Sequence, residues 1–382
     1  MDHKEKFQFF TKRKHFCSAP WNLLYVGVDG SVKTCTHGNS GMGNLQDQNL
    51  DEILTSDKYK AIKKEILDDK ITDNCRKCIA SENKSSAGDY HRLRSHYNSL
   101  SIDSTVDYTD VSKFKLSALD LHWSSLCDLK CVTCWAKQSS SIAREQNKPV
   151  NHTPTEVADR IIDYVTENQS ELKEIYLSGG EPTLIKYNLK LLKRIEKRPD
   201  LKIRINSNMQ WDTDNKIVRE ILQFPNVLFT CSIDGLGEKF NYIRRGGNWD
   251  KTLSNIKWLA RRSNIDLRAN TVFFVLTAQQ LPDIIDYFME EIGSVDHTIN
   301  QCGMGQFHLR CRNLPNKIKD SVRENLNKTF EKYKTNLNIA GNITNCFKEL
   351  DEPNDNEEYK EYFDNIDILQ GTNWRELYPE LT

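Results

Sequence analysis

The alternation of apolar and polar positions divides the chain into three stretches. From about residue 15 to 80 a short apolar run, Leu23 to Val28, reads as a strand, and Asp29-Gly30 is a turn signal into a second strand, Ser31 to Cys35. Ile53, Leu54, Tyr59, Ile62 and Ile66 recur on one side of a helix that leads to Cys75-Arg-Lys-Cys78. Residues 81 to 114 are polar and read as a linker with some helix. From Leu116 the pattern changes. Six apolar runs read as strands: Ser117 to Trp123, Glu174 to Ser178, Ile203 to Asn206, Val227 to Ile233, Leu267 to Leu276 and, more weakly, His297 to Gln301. The intervals between them carry helical spacing, as in residues 155 to 168 (Val157, Ile161, Ile162, Val165), 189 to 195, 216 to 222, 252 to 261 and 281 to 291. Strands alternating with helices predict a parallel sheet with right-handed crossovers. Each polar or glycine-rich signal sits at the carboxyl end of its strand, where parallel α/β barrels build active sites. Beyond residue 311 the chain reads as polar helix from Asn313 to Tyr333, then as loop with an acidic stretch from Asp351 to Glu358. No internal repeat is visible.

Composition narrows the function classes. At 382 residues the chain can bury a sizeable core, and its length suggests two or more domains. Lys and Arg number 53 against 54 Asp and Glu, so no global field attracts nucleic acid or anionic lipid. A local basic face could still form around His91, Arg92 and Arg94. The charged start leads into no apolar region, which reads against a signal peptide. No run approaches the roughly 18 apolar residues of a membrane helix. These features predict a cytoplasmic protein with no membrane partner. In a reducing compartment eleven cysteines point to metal or redox chemistry rather than disulfides. Seven form two groups: Cys17, Cys35, Cys75 and Cys78, then Cys127, Cys131 and Cys134. Cys231, Cys302, Cys311 and Cys346 are scattered and read as small buried hydrophobes.

The second group supplies three thiolates, one short of the usual set for an iron–sulfur cluster. The bland alternative is zinc, with His122 as fourth ligand. About forty-five residues later, Leu177-Ser-Gly-Gly-Glu-Pro182 ends a strand in bare backbone that can meet a small polar ligand closely. Cys127-x3-Cys131-x2-Cys134 after a first strand, with Gly179-Gly180-Glu181-Pro182 after a second, resembles the radical S-adenosylmethionine enzymes over residues 116 to 305. The resemblance implies a 4Fe–4S cluster on the three thiolates whose open iron binds S-adenosylmethionine. One electron then cleaves the sulfonium, and the resulting 5′-deoxyadenosyl radical takes hydrogen from substrate. It further implies that Gly179, Gly180, Glu181 and Pro182 cradle the methionyl amino group. Ser232, Asn206 and Ser207 would contact the cofactor, and Arg244 or Arg245 would pair with its carboxylate. The residue before the third cysteine, often aromatic in the family, is Thr133 here, so Trp135 is the candidate to pack on the adenine.

Cys17-x12-Gly30-x4-Cys35, with Pro20-Trp21, Gly43-Asn44-Leu45 and the closing Cys75-x2-Cys78, resembles the SPASM and twitch auxiliary-cluster domains. Here the module precedes the barrel, whereas in most relatives it follows. Four thiolates complete a ligand set for a second 4Fe–4S cluster, and zinc is the rival. The expected fold is α/β: a partial parallel (β/α)6 barrel at residues 101–310, preceded at 1–100 by a twitch-like module of hairpin plus helix, and followed at 311–382 by a helical extension. The expected activity is hydrogen abstraction from a peptide, protein or small molecule, with the auxiliary cluster in electron transfer and an external donor such as flavodoxin or ferredoxin. A radical enzyme acting on nucleic acid or nucleotides, and a zinc-stabilised binding protein, remain as alternatives. Tyr242, Cys302, His308 and Cys311 are candidates for the substrate side only by their place near the last strands.

Overall fold

The computed structural model describes residues 1–84, 93–293, 296–303, 306–353 and 357–381. Nine strands form one sheet: β1 (Leu23–Val26), β2 (Ser31–Lys33), β3 (Gly43–Asn44), β4 (Ala118–Leu121), β5 (Glu174–Leu177), β6 (Lys202–Ser207), β7 (Val227–Ser232), β8 (Ile265–Phe273) and β9 (His297–Gln301). Their order is β3-β2-β1-β4-β5-β6-β7-β8-β9, so β3 and β9 are its edges and it does not close. The strands from β4 to β9 pair in parallel in chain order, which is the predicted six-stranded partial barrel.

The amino-terminal hairpin is part of this sheet. β1 pairs with β2 in antiparallel fashion but with β4 in parallel, placing Tyr25 beside Asp120. Gly30, at φ 79°, makes the turn between β1 and β2. The pattern of residues 15 to 80 showed a hairpin but not its partner, because a four-residue apolar strand carries no label for its neighbour.

Alternation along the strands separates two faces. On the outer face Leu24, Val26, Leu119, Leu121, Ile175, Leu177, Ile203, Ile205, Phe229, Leu267 and Ala269 join one continuous apolar cluster. Helix Asp57–Leu67 of the amino-terminal part adds Tyr59, Ile62 and Ile66 to it. Helix Thr155–Glu167 of the barrel adds Val157, Ile161 and Ile162 to the same cluster. The inner face is polar. In cross-strand register it carries the row Lys33, Tyr25, Asp120, Tyr176 and Arg204.

The polar linker is more ordered than its composition suggested. Buried Asn22 donates to Ser104 Oγ, Lys115 O and Ser117 Oγ and accepts from the Tyr108 hydroxyl, tying residues 101–117 to β1. Helix Leu93–Leu100 packs Tyr97 against Leu23 and Ala118, and its His96 meets Glu174 at 2.9 Å. His91 and Arg92 of the expected basic face lie outside the described residues, while Arg94 is paired with Glu82 at 2.7 Å.

The carboxyl-terminal part corrects one expectation. Residues after Tyr333 do not run as loop: helix Leu337–Asp351 follows helix Asn316–Tyr333, and helix Glu358–Gln370 follows in turn. Ile339, Ile343, Cys346 and Leu350 fill a second core with Phe273, Leu276, Phe363 and Trp374. The many Asn and Thr residues of this segment hid its apolar i, i+4, i+7 stripe. No helix among the described residues is long and apolar enough to cross a membrane.

Candidate active site

The three-cysteine loop leaves the carboxyl end of β4 and is held from several sides. Lys130 N and Val132 N donate to the carbonyls of Arg245 and Ile243, both at 2.9 Å. Cys127 N donates to Ser140 Oγ, and Ser141 Oγ donates back to Cys127 O at 2.8 Å. The Tyr362 hydroxyl of the carboxyl-terminal helix donates to Val132 O at 2.7 Å, and the Gln306 amide reaches Cys134 O. A loop tethered at this many points presents its thiols in one arrangement. Burial pushes the Cys131 thiol up to about 12, against the pull of the Arg244 guanidinium. Burial, followed by charge at Cys131 and Glu181, also raises Cys127. Unloaded, these are neutral thiols, and loading them with metal must expel protons.

The amino-terminal set also comes together. Burial raises Cys17, and the charges of Cys75, Cys35 and Cys78 add to it, so the four sulfurs share one electrostatic neighbourhood. The backbone at Ala19, His37, Gly38 and Arg94 pulls the thiols of this set the other way, toward lower pKa. Among the described residues, no group of three or more His, Cys, Asp or Glu side chains is arranged as it stands to hold a metal ion.

The glycine turn after β5 packs on the backbone that enters the cysteine loop. Gly180 N donates to Ser124 O at 2.9 Å and Glu181 N to Leu126 O at 2.7 Å. A Cβ on Gly180 would stand 2.2 Å from Leu126 O, and one on Gly179, whose φ is 115°, 2.6 Å from Ser124 O. Both glycines are therefore needed for backbone to meet backbone. Gly180→Ala must push the two turns apart. It is expected to lower stability by about 1–3 kcal/mol in urea unfolding and to misplace Cys127.

Glu181 is buried and turned inward. Oε1 accepts from Thr183 N, Thr183 Oγ1 and Ser207 Oγ, and Oε2 accepts from Asn208 N at 2.7 Å. Burial pushes it up to about 7 against these hydrogen bonds. Asn208 Nδ2 in turn holds Asp128 Oδ1 at 2.7 Å, and the next residue, Met209, takes a left-handed φ of 64°. Glu181 thus joins the β5 turn, the end of β6 and the cysteine loop. Ser207 belongs to this clamp. Asn206 and Ser232 lie on the inner face of β6 and β7, and Ser232 pairs in register with Asn270.

The two arginines separate clearly. Arg245 makes two hydrogen bonds to Glu145, at 2.7 and 3.1 Å, and Lys130 shares that carboxylate. Arg244 pairs with buried Asp234 at 2.7 Å and places Nη1 4.0 Å from Cys131 Sγ. Burial opposes its charge, but Asp234 and Cys131 outweigh that and raise its pKa. Arg245 braces the loop while Arg244 faces the sulfurs. Arg245→Ala is expected to cost about 3 kcal/mol in urea unfolding, as Glu145→Ala should, with a double-mutant cycle showing that the two losses overlap. Trp135 is 41 % exposed, and a Cβ on Gly303, just past β9, would touch its ring at 3.9 Å.

Some expectations find other roles. Tyr242 is buried against Tyr378, Cys311 is buried in the second core, and Cys302 lies 3.6 Å from Gln306 Oε1. The His308 ring packs on Tyr362. His122 directs Nε2 toward Asp120 Oδ1 at 2.9 Å, with Tyr25 tilted against its ring and Tyr176 edge-on to it. It is engaged there rather than with the three thiols. Sequence reading passed over Asp120, Asp128, Asn208 and Glu145, since single polar residues in or after strands carry no spacing signal.

Two sequence families match this layout. The radical SAM superfamily matches residues 122–288, and the SPASM iron–sulfur cluster-binding domain matches residues 17–79. The chain carries a radical SAM domain at residues 122–288. It is a radical SAM enzyme with an amino-terminal SPASM domain. Its cofactors are accordingly a 4Fe–4S cluster, S-adenosylmethionine and, in the SPASM domain, an auxiliary iron–sulfur cluster. A probable GTP 3′,8-cyclase of Methanocaldococcus jannaschii is 23% identical over 223 residues, 56% of this chain and 70% of that one. A GTP 3′,8-cyclase of Clostridium perfringens is 26% identical over 163 residues, 41% of this chain and 47% of that one. Among solved structures, native anSMEcpe with bound AdoMet aligns at a TM-score of 0.45 and 21% identity, over 58% of this chain and 62% of that one. Streptococcus suis SuiB bound to S-adenosylmethionine aligns at 0.42 and 19%, over 74% of this chain and 60% of that one. The chain thus spans about three fifths of the length of these solved relatives. The donor chemistry fits the superfamily's cluster: three soft sulfurs beside a glycine turn, with His122 turned away from them.

Proposed function

We propose that this radical SAM enzyme abstracts hydrogen from a peptide or protein held on the polar inner face of the sheet. Cys127, Cys131 and Cys134 would hold the cluster, which would supply the electron for cleavage of S-adenosylmethionine. The chain's own residues do the rest. Arg244, kept cationic by Asp234, offers a guanidinium beside the sulfurs for the cofactor carboxylate. Ser232 and Asn206 line the approach from neighbouring strands, and Trp135 offers an exposed ring for the adenine. The four-thiol SPASM set serves as electron acceptor or relay, and an external flavodoxin or ferredoxin supplies the reducing electron.

One observation carries the choice of substrate class. Every arginine named on or beside the inner face already has a carboxylate: Arg204 has Glu174, Arg244 has Asp234, Arg245 has Glu145, and Arg268 has Asp266 and Asp296. A nucleoside triphosphate needs unspent cations, and phosphate is best taken by free arginine forks. The unclosed sheet leaves room at its edges for a polymer. The similarity to GTP 3′,8-cyclases sustains a second reading, a nucleotide substrate.

The anaerobically reconstituted enzyme, given reductant and S-adenosylmethionine, should form 5′-deoxyadenosine. It should change the mass of a peptide encoded beside its gene and leave GTP unaltered. Conversion of GTP would reverse the choice.

A further inference from the structure

The inner face holds a buried spot that none of the chemistry above uses. Asp120 sits in the middle of β4 with its side chain 2 % exposed, and neither carboxylate oxygen accepts a hydrogen bond. His122 Nε2 stands 2.9 Å from Oδ1, is not aligned as a hydrogen bond, and is itself a buried nitrogen without a partner. Apart from that close approach to each other, these three polar atoms have no hydrogen-bond partner. Buried polar groups in folded proteins are nearly always satisfied, so such a cluster calls for something bound.

The chemistry of that ligand can be read from the atoms. Two carboxylate oxygens only accept, and Nε2 accepts when the imidazole proton is on Nδ1. A primary ammonium has three N–H donors and no acceptor, which matches this set one for one. Aromatic faces favour the same charge. Tyr25 and Tyr176 are the cross-strand neighbours of Asp120 on either side, and their rings stand 5.2 and 6.2 Å from the His122 ring.

Among the ion pairs of the described residues, Asp120 meets only His122. Arg204, over the Tyr176 ring at 4.7 Å, is neutralised by Glu174, which His96 also meets. Lys33 lies 5.7 Å from the Tyr25 ring, on the far strand from Asp120. His37, Tyr25, Tyr97 and Tyr176 all feel the Asp120 charge. The His122 side chain, 17 % exposed, opens the spot to the inner face.

We propose that Asp120 and His122, flanked by Tyr25 and Tyr176, form a subsite for a primary ammonium group of the substrate. The subsite deepens the peptide reading and rests on it only for the claim that the amine belongs to a peptide.

The test is calorimetric titration of the anaerobically reconstituted full chain at fixed ionic strength, with n-butylammonium, butyltrimethylammonium and n-butanol as probes. Saturable binding of n-butylammonium is expected. Binding should weaken at least about tenfold for the trimethylated probe, which lacks N–H donors, and for n-butanol, which lacks the charge. Asp120→Asn should cause a similar loss with iron content and circular dichroism unchanged, and Tyr176→Phe, which keeps the ring, should bind within about twofold. The proposal is overturned by no saturable binding, by equal binding of the trimethylated probe, or by undiminished binding in a folded Asp120→Asn protein. The probe comparison uses the wild-type chain alone and stays decisive where Asp120→Asn fails to fold. Conversion of GTP would end the peptide reading and leave this binding result standing.

Discussion

Cys127→Ala is expected to take formation of 5′-deoxyadenosine below detection and to remove about four of about eight irons per chain. The loss should be this complete because three thiols have no spare among them. His122 is turned to Asp120, and the nearest cation, Arg244, cannot ligate iron. The replaced side chain lies in a loop whose other anchors are untouched. Lys130 and Val132 remain bonded to residues 243–245, and Tyr362 to Val132. The variant should therefore fold, show unchanged circular dichroism, and keep the iron of the amino-terminal set. Iron analysis beside a chromatographic assay for 5′-deoxyadenosine checks both halves. Retained cleavage would mean that the radical arises elsewhere.

Cys75→Ala with Cys78→Ala is expected to give the opposite split: cleavage within about twofold of wild type, and product reduced to background. These cysteines belong to the four-thiol set around Cys17 and Cys35, a complete ligand set with no open position implied. None of the hydrogen bonds described for the three-cysteine loop involves them. The measurement compares 5′-deoxyadenosine with altered substrate in the same reaction. Unchanged product in the double variant would remove the SPASM set from the chemistry.

Much of this architecture is legible in the chain because two signals reinforce each other. Period-two apolar runs alternate with period-3.6 runs from residue 117 onward, and the cysteine and glycine motifs fall at the carboxyl ends of the first two barrel strands. The six barrel strands were all found. What the pattern could not show was lateral order. The hairpin of residues 23 to 33 lies beside β4 in parallel, a pairing fixed by packing across ninety residues of intervening chain. Helix Leu337–Asp351 went unread because its polar Asn and Thr residues dilute a sound apolar stripe.

The site was legible in its sulfurs and less so in its clamps. The cysteines of each set lie within electrostatic reach of one another. The motif points the glycines and Glu181 toward a ligand, whereas in the structure they hold the β5 turn against the cysteine loop and β6. Spacing alone could not separate Arg244 from Arg245, because adjacent residues at a helix end point in different directions. Carboxylate partners from distant segments, Asp234 and Glu145, decide the matter. Asp120 was invisible for a similar reason. A lone acid in a strand becomes informative only when its neighbours leave it without a partner.

What the seven grouped cysteines hold decides the chemistry of this protein. Metal and acid-labile sulfide analysis of the anaerobically purified full chain tests this most directly. The account predicts about eight iron and about eight sulfide per chain. Zinc bound at either set, with no sulfide, would contradict it.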